Sequence, residues 1–258
     1  MWQRVWFITL AGLCWVSLVV RAEPFGVSIH SQVQAPLSSA DPIAEADGLF
    51  SHGEDMAHDR QALGIIARAL ETHTDEYQLL WRAARVYYHV GDDAEASQKR
   101  DYFERGITAG QRAVALQPGG VEGHFWLAAN YGGLSEVRGM IQALQMIKQI
   151  RAEMETALRL QASYEDGGAY LALGELDRQL PRLLGGSVKR AIAYLEQGLR
   201  VAPQNMAMRL ALAKAYLDAG RRADGQQQIL EILSMPVLPA RTRANNATQE
   251  KARQLLSK

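Results

Sequence analysis

Three segments of this chain share one spacing of residues, and that spacing constrains the fold more than any other feature. Residues 121–131 read VEGHFWLAANY, residues 79–91 read LLWRAARVYYHVG, and residues 209–220 read RLALAKAYLDAG. In each segment a long apolar residue comes before Ala or Gly, and Tyr lies three residues after that small residue. Gly then follows the Tyr at a spacing that fits a helix. Each segment is followed by a second apolar-periodic stretch that ends like AVALQP or GLRVAP. The chain is therefore expected to consist of repeated pairs of helices.

This pattern is typical of tetratricopeptide repeats (TPRs), each about 34 residues that form a helix, a turn and a second helix. Repeats are predicted to begin at Ile43, Tyr77, Val121, Gly167 and Met206, and a polar, basic helix over 241–256 would cap the last one. The segment DDAEASQKRD and the segment GGLSEVRG are interpreted as insertions that follow first helices. The expected fold is all-α, with irregular TPR-like hairpins over 43–258 stacked in a superhelix around a central cleft or pore.

The first residues predict an export signal. A short basic start precedes an apolar run of sixteen residues, and Val20-Arg21-Ala22 is a small-residue cleavage pattern. Residues 1–22 are therefore interpreted as a signal peptide, and 23–42, rich in Pro, Ser, Gln and Gly, as a flexible leader. An uncleaved membrane anchor and a lipoprotein signal at Cys14 are the alternatives. Cleavage after Ala22 would remove the only cysteine, and with it any disulfide, thiolate metal site or cysteine nucleophile.

Charge and motifs argue against several classes of function. Lys plus Arg and Asp plus Glu both number 28, so no net positive field favours nucleic acid. Six histidines are present without an HExxH motif or another closely spaced ligand set, so no metal site is expected. Neither a GxSxG motif, a phosphate loop nor a dinucleotide fingerprint is found in the sequence. We expect a protein that is not an enzyme and that needs no cofactor.

In a TPR superhelix the first helix of each repeat lines the concave side. An aromatic shelf with a cation beside it would suit an extended peptide or a small molecule that carries a carboxylate. The alternative is that Trp81 and Phe125 merely pack between repeats. The groove positions are Trp81, Arg85, Tyr88 and His89 in the second repeat, Glu122, Phe125, Ala129 and Gly132 in the third, Leu171, Glu175 and Arg178 in the fourth, and Leu210, Lys214 and Asp218 in the fifth.

Asn130 belongs to the most unusual polar cluster of the repeats, with Tyr131 beside it, two glycines after it and Arg138-Gly139 further along. A side-chain amide inside an apolar helix requires hydrogen-bonding partners, and glycines allow close backbone approach. A ligand or pore role is one hypothesis for this cluster. The other is that Asn130 caps an inserted loop.

The segments FWLAANYG, EVRGM, ALGELDRQLPRLLGGS, AIAYLEQGLRVAPQN and LAKAYLDAGRR resemble the TatT family, the periplasmic TPR component associated with TRAP transporters. The resemblance covers about residues 41–233. It implies helical hairpins around a cleft or pore, a homotrimer as one assembly, and partnership with the extracytoplasmic solute-binding protein of a TRAP transporter. Small organic acids or hydrophobic molecules would be its ligands. The residues to which the resemblance assigns function are Trp126, Asn130, Tyr131, Arg138 and Glu175.

Two functions follow as hypotheses. The first is a non-enzymatic periplasmic accessory protein of a TRAP-type transporter, which binds the solute-binding protein and a small organic ligand. The second is a cell-envelope scaffold that binds a peptide segment of a partner in its concave groove. A closed cavity around Asn130 and Glu175 would favour the first hypothesis, and an open groove around Trp81 and Tyr88 would favour the second.

Overall fold

The computed structural model describes residues 41–51 and 56–256, so the predicted signal peptide and nearly all of the predicted leader lie outside it. Throughout the described residues the chain forms helices, which confirms the all-α class. Short 3₁₀ turns at Arg182–Leu184 and Pro239–Arg241 precede the eighth and eleventh helices. The α-helices are α1 (Pro42–Ser51), α2 (Met56–Thr72), α3 (Tyr77–Asp93), α4 (Ala96–Leu116), α5 (Val121–Val137), α6 (Met140–Leu160), α7 (Tyr164–Gln179), α8 (Val188–Val201), α9 (Met206–Asp218), α10 (Arg222–Ser234) and α11 (Thr242–Leu256).

Consecutive helices pair into five hairpins, α1 with α2 through to α9 with α10, and α11 follows as a terminal helix. The first helices of neighbouring hairpins also contact one another, as α3 does with α5, α5 with α7 and α7 with α9. Each second helix packs against the first helices on either side of it. The first helices therefore form the inner, concave layer, as the stacked-hairpin prediction requires.

Capping residues set several of the helix ends. The Asp41 carboxylate accepts a hydrogen bond from the Ile43 amide (2.9 Å) at the start of α1. The Ser187 hydroxyl accepts one from the Arg190 amide (3.3 Å) at the start of α8. These contacts satisfy amides that have no partner within the helix. Pro181 follows the end of α7, so the caps at Asp41 and Ser187 and the stop at Pro181 agree with the sequence prediction.

The segments predicted as insertions are largely helical, and they lengthen the helices of the second and third hairpins. DDAEASQKRD extends α3 to Asp93 and supplies the start of α4 at Ala96. The Lys99 ammonium group donates to the carbonyls of Gly91 (3.2 Å) and Asp92, and so stabilises the carboxyl end of α3. GGLSEVRG likewise continues α5 as far as Val137. Asn130 consequently lies inside a helix and does not cap a loop.

The first turn of α7 departs from regular helical geometry. Glu165, Asp166 and Gly167 have φ angles of 49°, 50° and 73°, in the left-handed region that is unfavourable for residues with a side chain. Asn205 donates to the Asp166 carbonyl (3.0 Å), and Arg241 binds the Asp166 carboxylate (2.5 Å). The turn is therefore held by Asn205, just before α9, and by Arg241, just before α11.

Glycines bring α4 and α5 close together. A Cβ atom at Gly106 would overlap the Asn130 amide, and one at Gly110 would approach Leu127. Gly133 lies against the Phe103 ring, where a Cβ atom would overlap it as well. The two helices can therefore pack at this distance only while these positions carry no side chain.

The terminal helix α11 packs against α9 and α10. The Gln249 amide donates to the carbonyl of Met235 (3.0 Å) in the segment that leads to α11. Arg243 also reaches the second hairpin and binds the Asp93 carboxylate at 3.1 Å. The helix therefore covers the last hairpin and links it to α3. Among residues 41–51 and 56–256, no helix is both long and apolar enough to cross a bilayer.

Two adjacent glycines in α5 provide a matched test of the close packing. Gly132 has no atom within 4 Å of the position of a Cβ, whereas a Cβ at Gly133 would collide with Phe103. Gly132→Ala should raise the free energy of unfolding by about 1 kcal/mol, because alanine favours the helix. Gly133→Ala gains the same helix preference, but it should lower the free energy of unfolding by about 1–3 kcal/mol because the new methyl group overpacks the contact with Phe103. Urea unfolding followed by circular dichroism measures both, and equal effects would contradict the proposed contact.

Candidate functional site

The concave layer carries two groups of side chains whose positions could serve binding. The first, the aromatic–arginine cluster, lies on α1, α3, α5 and α7. The second, the charged cluster, lies on α7 and α9. Together they account for most of the residues that the TPR template places on the groove.

Arg85 lies at the centre of the aromatic–arginine cluster. Its guanidinium donates to the Asp47 carboxylate (2.7 Å) and lies 4.0 Å from the centre of the Phe50 ring. The Trp81 ring lies 5.0 Å from the same guanidinium, and Arg82 binds Asp47 at 2.6 Å. Ion pairing and cation–π contact thus join α1 to α3.

Further rings continue the cluster towards α5 and α7. The Trp126 indole donates to the Tyr164 hydroxyl (2.9 Å), and the Phe125 ring lies 5.1 Å and 5.2 Å from these two rings. Tyr88 and His89 on α3 lie 5.8 Å and 5.3 Å from Trp126. Offset and edge contacts of this kind stabilise aromatic pairs beyond the area that they bury.

The side chains predicted to form an exposed aromatic shelf are largely buried, which corrects that part of the sequence interpretation. Trp81, Tyr88, Phe125 and Trp126 all belong to the main hydrophobic core. Their apolar surface is covered by the neighbouring first helices, so the alternative of packing between repeats describes their contacts. A binding role for them stays a prediction, and the Arg85 side chain is itself only 16% exposed.

Burial and the arginines shift two pKa values in this cluster. Partial burial acts to raise the pKa of Asp47, but hydrogen bonds and charges from Arg82 and Arg85 outweigh it, and the pKa lies below its ordinary value. Burial lowers the pKa of His89 to about 3, and the positive charge of Arg85 acts in the same direction. At neutral pH, Asp47 is therefore ionised and His89 is uncharged.

Asn130 is fully buried, with 0% of its surface exposed. Its amide nitrogen donates to the carbonyls of Ala84 (2.8 Å) and Trp126 (2.7 Å), so it joins α5 to α3. Its amide oxygen faces Gly106 of α4 and has no hydrogen-bonding partner in the described part of the chain. These contacts direct the side chain into the helix interface, which explains why an asparagine can lie within an apolar helix.

Tyr131 and Arg138 point towards α4 and do not join either cluster. The Tyr131 hydroxyl accepts a hydrogen bond from Gln111 (3.0 Å), and Arg138 forms an ion pair with Glu104. Asn130 and Glu175 have separate sets of hydrogen-bonding partners. The described contacts therefore do not join the predicted polar residues into one cluster.

The charged cluster joins the fourth and fifth hairpins. Arg178 binds Glu175 on its own helix (3.0 Å) and Asp218 on α9 (2.9 Å). Gln179 also donates to Glu175, while the half-buried Lys214 forms no hydrogen bond to any described residue. Burial lowers the pKa of Lys214, although the charges of Glu175 and Asp218 oppose this shift. The arrangement can offer a partner the Lys214 cation, which lies in the field of the Glu175 and Asp218 carboxylates and has no hydrogen bond to the described residues.

Four residues of the first cluster were missed by the sequence interpretation, namely Asp47, Phe50, Arg82 and Tyr164. The TPR template itself could have found Asp47, since it occupies the fifth position of the repeat that begins at Ile43. Phe50 and Tyr164 carry no such signal, because their contacts depend on how the helices cross. Within residues 41–51 and 56–256, no three His, Cys, Asp or Glu side chains are grouped closely enough to hold a metal ion.

Asp47→Asn tests whether the arginine cluster holds α1 in place. The variant should lose about 1 kcal/mol of unfolding free energy at neutral pH, the scale of a partly exposed ion pair. Because the folded pKa of Asp47 is depressed, its stabilising effect is complete above about pH 5 and declines as pH falls through the folded value. Urea unfolding at several pH values should show the two proteins converging in acid.

Asp75→Asn is the matched control, since Asp75 pairs with Arg112 at an exposed site. It should change the stability less than Asp47→Asn does. A pH-independent difference between the wild-type protein and Asp47→Asn would contradict the role of the charge.

Comparison with known proteins agrees with the repeat architecture and identifies a family. The family model described as regulator of microtubule dynamics protein 1-3 matches residues 42–180, and a tetratricopeptide repeat model matches residues 183–235. The TatT resemblance is not confirmed by these matches. They support its TPR character and assign more than half of the chain to a different family.

Individual relatives carry the same family name. Regulator of microtubule dynamics protein 3 from Xenopus laevis is 24% identical over 247 residues, which cover 87% of this chain and 53% of the relative. Regulator of microtubule dynamics protein 2 from Mus musculus is 28% identical over 105 residues, which cover 40% of this chain and 26% of the relative. The matched regions thus span about half or less of the length of these relatives.

A solved structure supports the fold. The crystal structure of TTC0263, a thermophilic TPR protein in Thermus thermophilus, has a TM-score of 0.60 at 20% identity and covers 83% of this chain and 97% of its own. At that identity the likeness concerns the fold alone. Together with the match over residues 42–180, these findings show that the chain belongs to the regulator of microtubule dynamics protein 1-3 family.

Proposed function

We propose that this protein is a non-enzymatic scaffold that holds a segment of a partner protein against its concave layer. The observation that carries this proposal is the charged cluster. Arg178 connects Glu175 and Asp218 across two hairpins, and Lys214 lies beside them without a hydrogen-bonding partner among the described residues. TPR proteins present such inner surfaces to partners as extended concave faces.

Desolvation makes Lys214 the strongest candidate for a direct contact. A half-buried ammonium group that lacks hydrogen bonds is less stable than one in water, and its pKa is lowered accordingly. A carboxylate or a backbone carbonyl of a partner would replace the missing bonds. The cluster contains other incompletely bonded groups, since the Nε atom of Arg178 and the Oε1 atom of Gln179 are buried without partners in the described structure.

The nature of the partner is a separate part of the proposal. The relatives are named regulators of microtubule dynamics, which makes a protein of the microtubule cytoskeleton one class to test. This chain spans only part of those relatives, so the test must use this chain itself.

A second candidate is the accessory role beside a TRAP transporter, supported by the segments FWLAANYG and LLGGS. It includes an exported, periplasmic protein, a solute-binding protein as partner, a small organic ligand and a homotrimer. Native mass spectrometry of the protein purified from its own cells would report cleavage after Ala22, subunit number and retained ligand in one spectrum. A cleaved trimer with a small organic molecule would favour this candidate over the scaffold.

Lys214→Gln should weaken the capture of a partner segment about tenfold, or by about 1.4 kcal/mol, because it removes the cation but keeps the length and polarity of the side chain. Arg68→Gln, on the exposed face of α2, is the matched control and should bind as the wild-type protein does. Binding by the wild-type protein should also weaken at alkaline pH, as Lys214 loses its charge earlier than an ordinary lysine.

The partner for that measurement comes from site-specific photo-crosslinking. A photoreactive residue at position 214 should give a discrete adduct, whereas the same residue at Leu230, on the exposed face of α10, should not. Mass spectrometry of the adduct distinguishes a cytoskeletal protein from a solute-binding protein. If adducts formed only at position 230 and Lys214→Gln bound with unchanged affinity, the concave layer would not be the binding surface.

A further inference from the structure

The loop between α7 and α8 carries the most exposed apolar side chain of the described chain. Leu183 is 99% exposed and the adjacent Leu184 is 45% exposed, in the 3₁₀ turn that follows Pro181. Leaving a leucine in water forgoes about 1.5–3 kcal/mol of hydrophobic stabilisation. We call residues 181–187 the leucine loop. Because it is distinct from the concave layer, an inference about this loop is independent of the proposed scaffold function.

Polar contacts hold the leucine loop in one shape. The fully buried Asp177 carboxylate accepts hydrogen bonds from Arg151 of α6 (2.5 Å) and Arg190 of α8 (2.6 Å). The Ser187 amide donates to the Asp177 carbonyl (2.8 Å), and Arg190 donates to the carbonyl of Gly185 (2.5 Å). The loop is thus tied at its base to α7 and α8, while Leu183 at its tip has no covering neighbour among the described residues.

Two glycines fit the same constrained path. Gly185 has a φ angle of +88°, which glycine adopts without the steric cost of a side chain. Gly186 passes so close to the Leu180 carbonyl that a Cβ atom would overlap it. A chain that turns this tightly can keep a leucine pointing outward instead of letting it fold back onto the protein.

Two exposed cations lie beside the leucine tip in the sequence. Arg182 precedes Leu183 directly and Lys189 lies in the first turn of α8, and both side chains are exposed. Asp177 beneath the loop is buried and is neutralised by its two arginines. The amino end of α8 adds the positive end of a helix dipole.

We propose that the leucine loop docks the protein on an anionic lipid bilayer, with Leu183 inserted among the acyl chains and Arg182 and Lys189 at the level of the phosphates. The loop is a convex tip with two cations beside it in the sequence, which matches a surface that is apolar inside and negatively charged outside. A protein partner would instead have to supply a pocket for one protruding leucine. The bilayer requires no such pocket.

Fluorescence at the loop tip tests the proposal in the full chain. Leu183→Cys, in a background where the only native cysteine is replaced by Cys14→Ser, is labelled with an environment-sensitive fluorophore. Leu230→Cys in the same background is the matched control, because Leu230 is also an exposed leucine (57%) but lies on α10. The N-terminal apolar run is common to both proteins, so only a local contact can make their signals differ.

With vesicles of phosphatidylcholine and phosphatidylserine, the label at position 183 should shift to shorter wavelength and be quenched by a lipid-borne quencher. The label at position 230 should keep its emission in water. Replacing both nearby cations, Arg182→Gln with Lys189→Gln, should weaken vesicle binding through the loop roughly fivefold for each charge. Vesicles of phosphatidylcholine alone should give a weak signal.

Three results would overturn docking by this loop. The label at position 183 could keep its emission in water in the presence of anionic vesicles, or both labels could respond equally. A response at position 183 to an added protein but not to vesicles would identify a protein-binding loop instead. Circular dichroism of both variants should match the parent protein, since neither leucine contributes to the core.

Discussion

The close approach of α4 to α5 is the contact on which the arrangement of the repeats depends. Glycines on both helices let backbone and ring surfaces meet, and Asn130 uses the same interface to bind carbonyls on α3 and α5. A side chain at Gly106 or Gly133 would separate the helices and break this junction. Since α5 also contacts α7, the angle set here passes to the later hairpins and thereby to the whole concave layer.

Much of this architecture follows from the sequence. The TPR template predicted the five hairpins, the terminal helix, the Asp41 and Ser187 caps and the end of α7 before Pro181. It did not predict that the charged and glycine-rich insertions would be largely helical. Lys99 donates to carbonyls at the carboxyl end of α3, which ends at Asp93, and Gly133 packs against the Phe103 ring within the helical glycine segment. Such tertiary contacts override local propensity and cannot be seen in a single sequence.

The candidate site was predicted less well, for a physical reason. Template positions say which residues face inward, but not how far the next first helix covers them. The ring of Trp126 is buried under neighbouring helices because removing a large apolar surface from water is favourable. The charged side chain of Lys214 stays only partly buried. The aromatic residues therefore support the concave layer, whereas Arg178 and Lys214 of the proposed partner site are only partly buried.

The ion pair between Arg243 and Asp93 joins two parts of the chain that lie far apart in the sequence. Open solenoids can grow by duplication of a repeat, because each unit contacts only its neighbours. Here the terminal helix touches the second hairpin as well as the last, so an additional hairpin before α11 would carry Arg243 away from Asp93. Gain of a repeat at this point would therefore remove the exposed contact between α11 and α3, a contact that an open solenoid does not have.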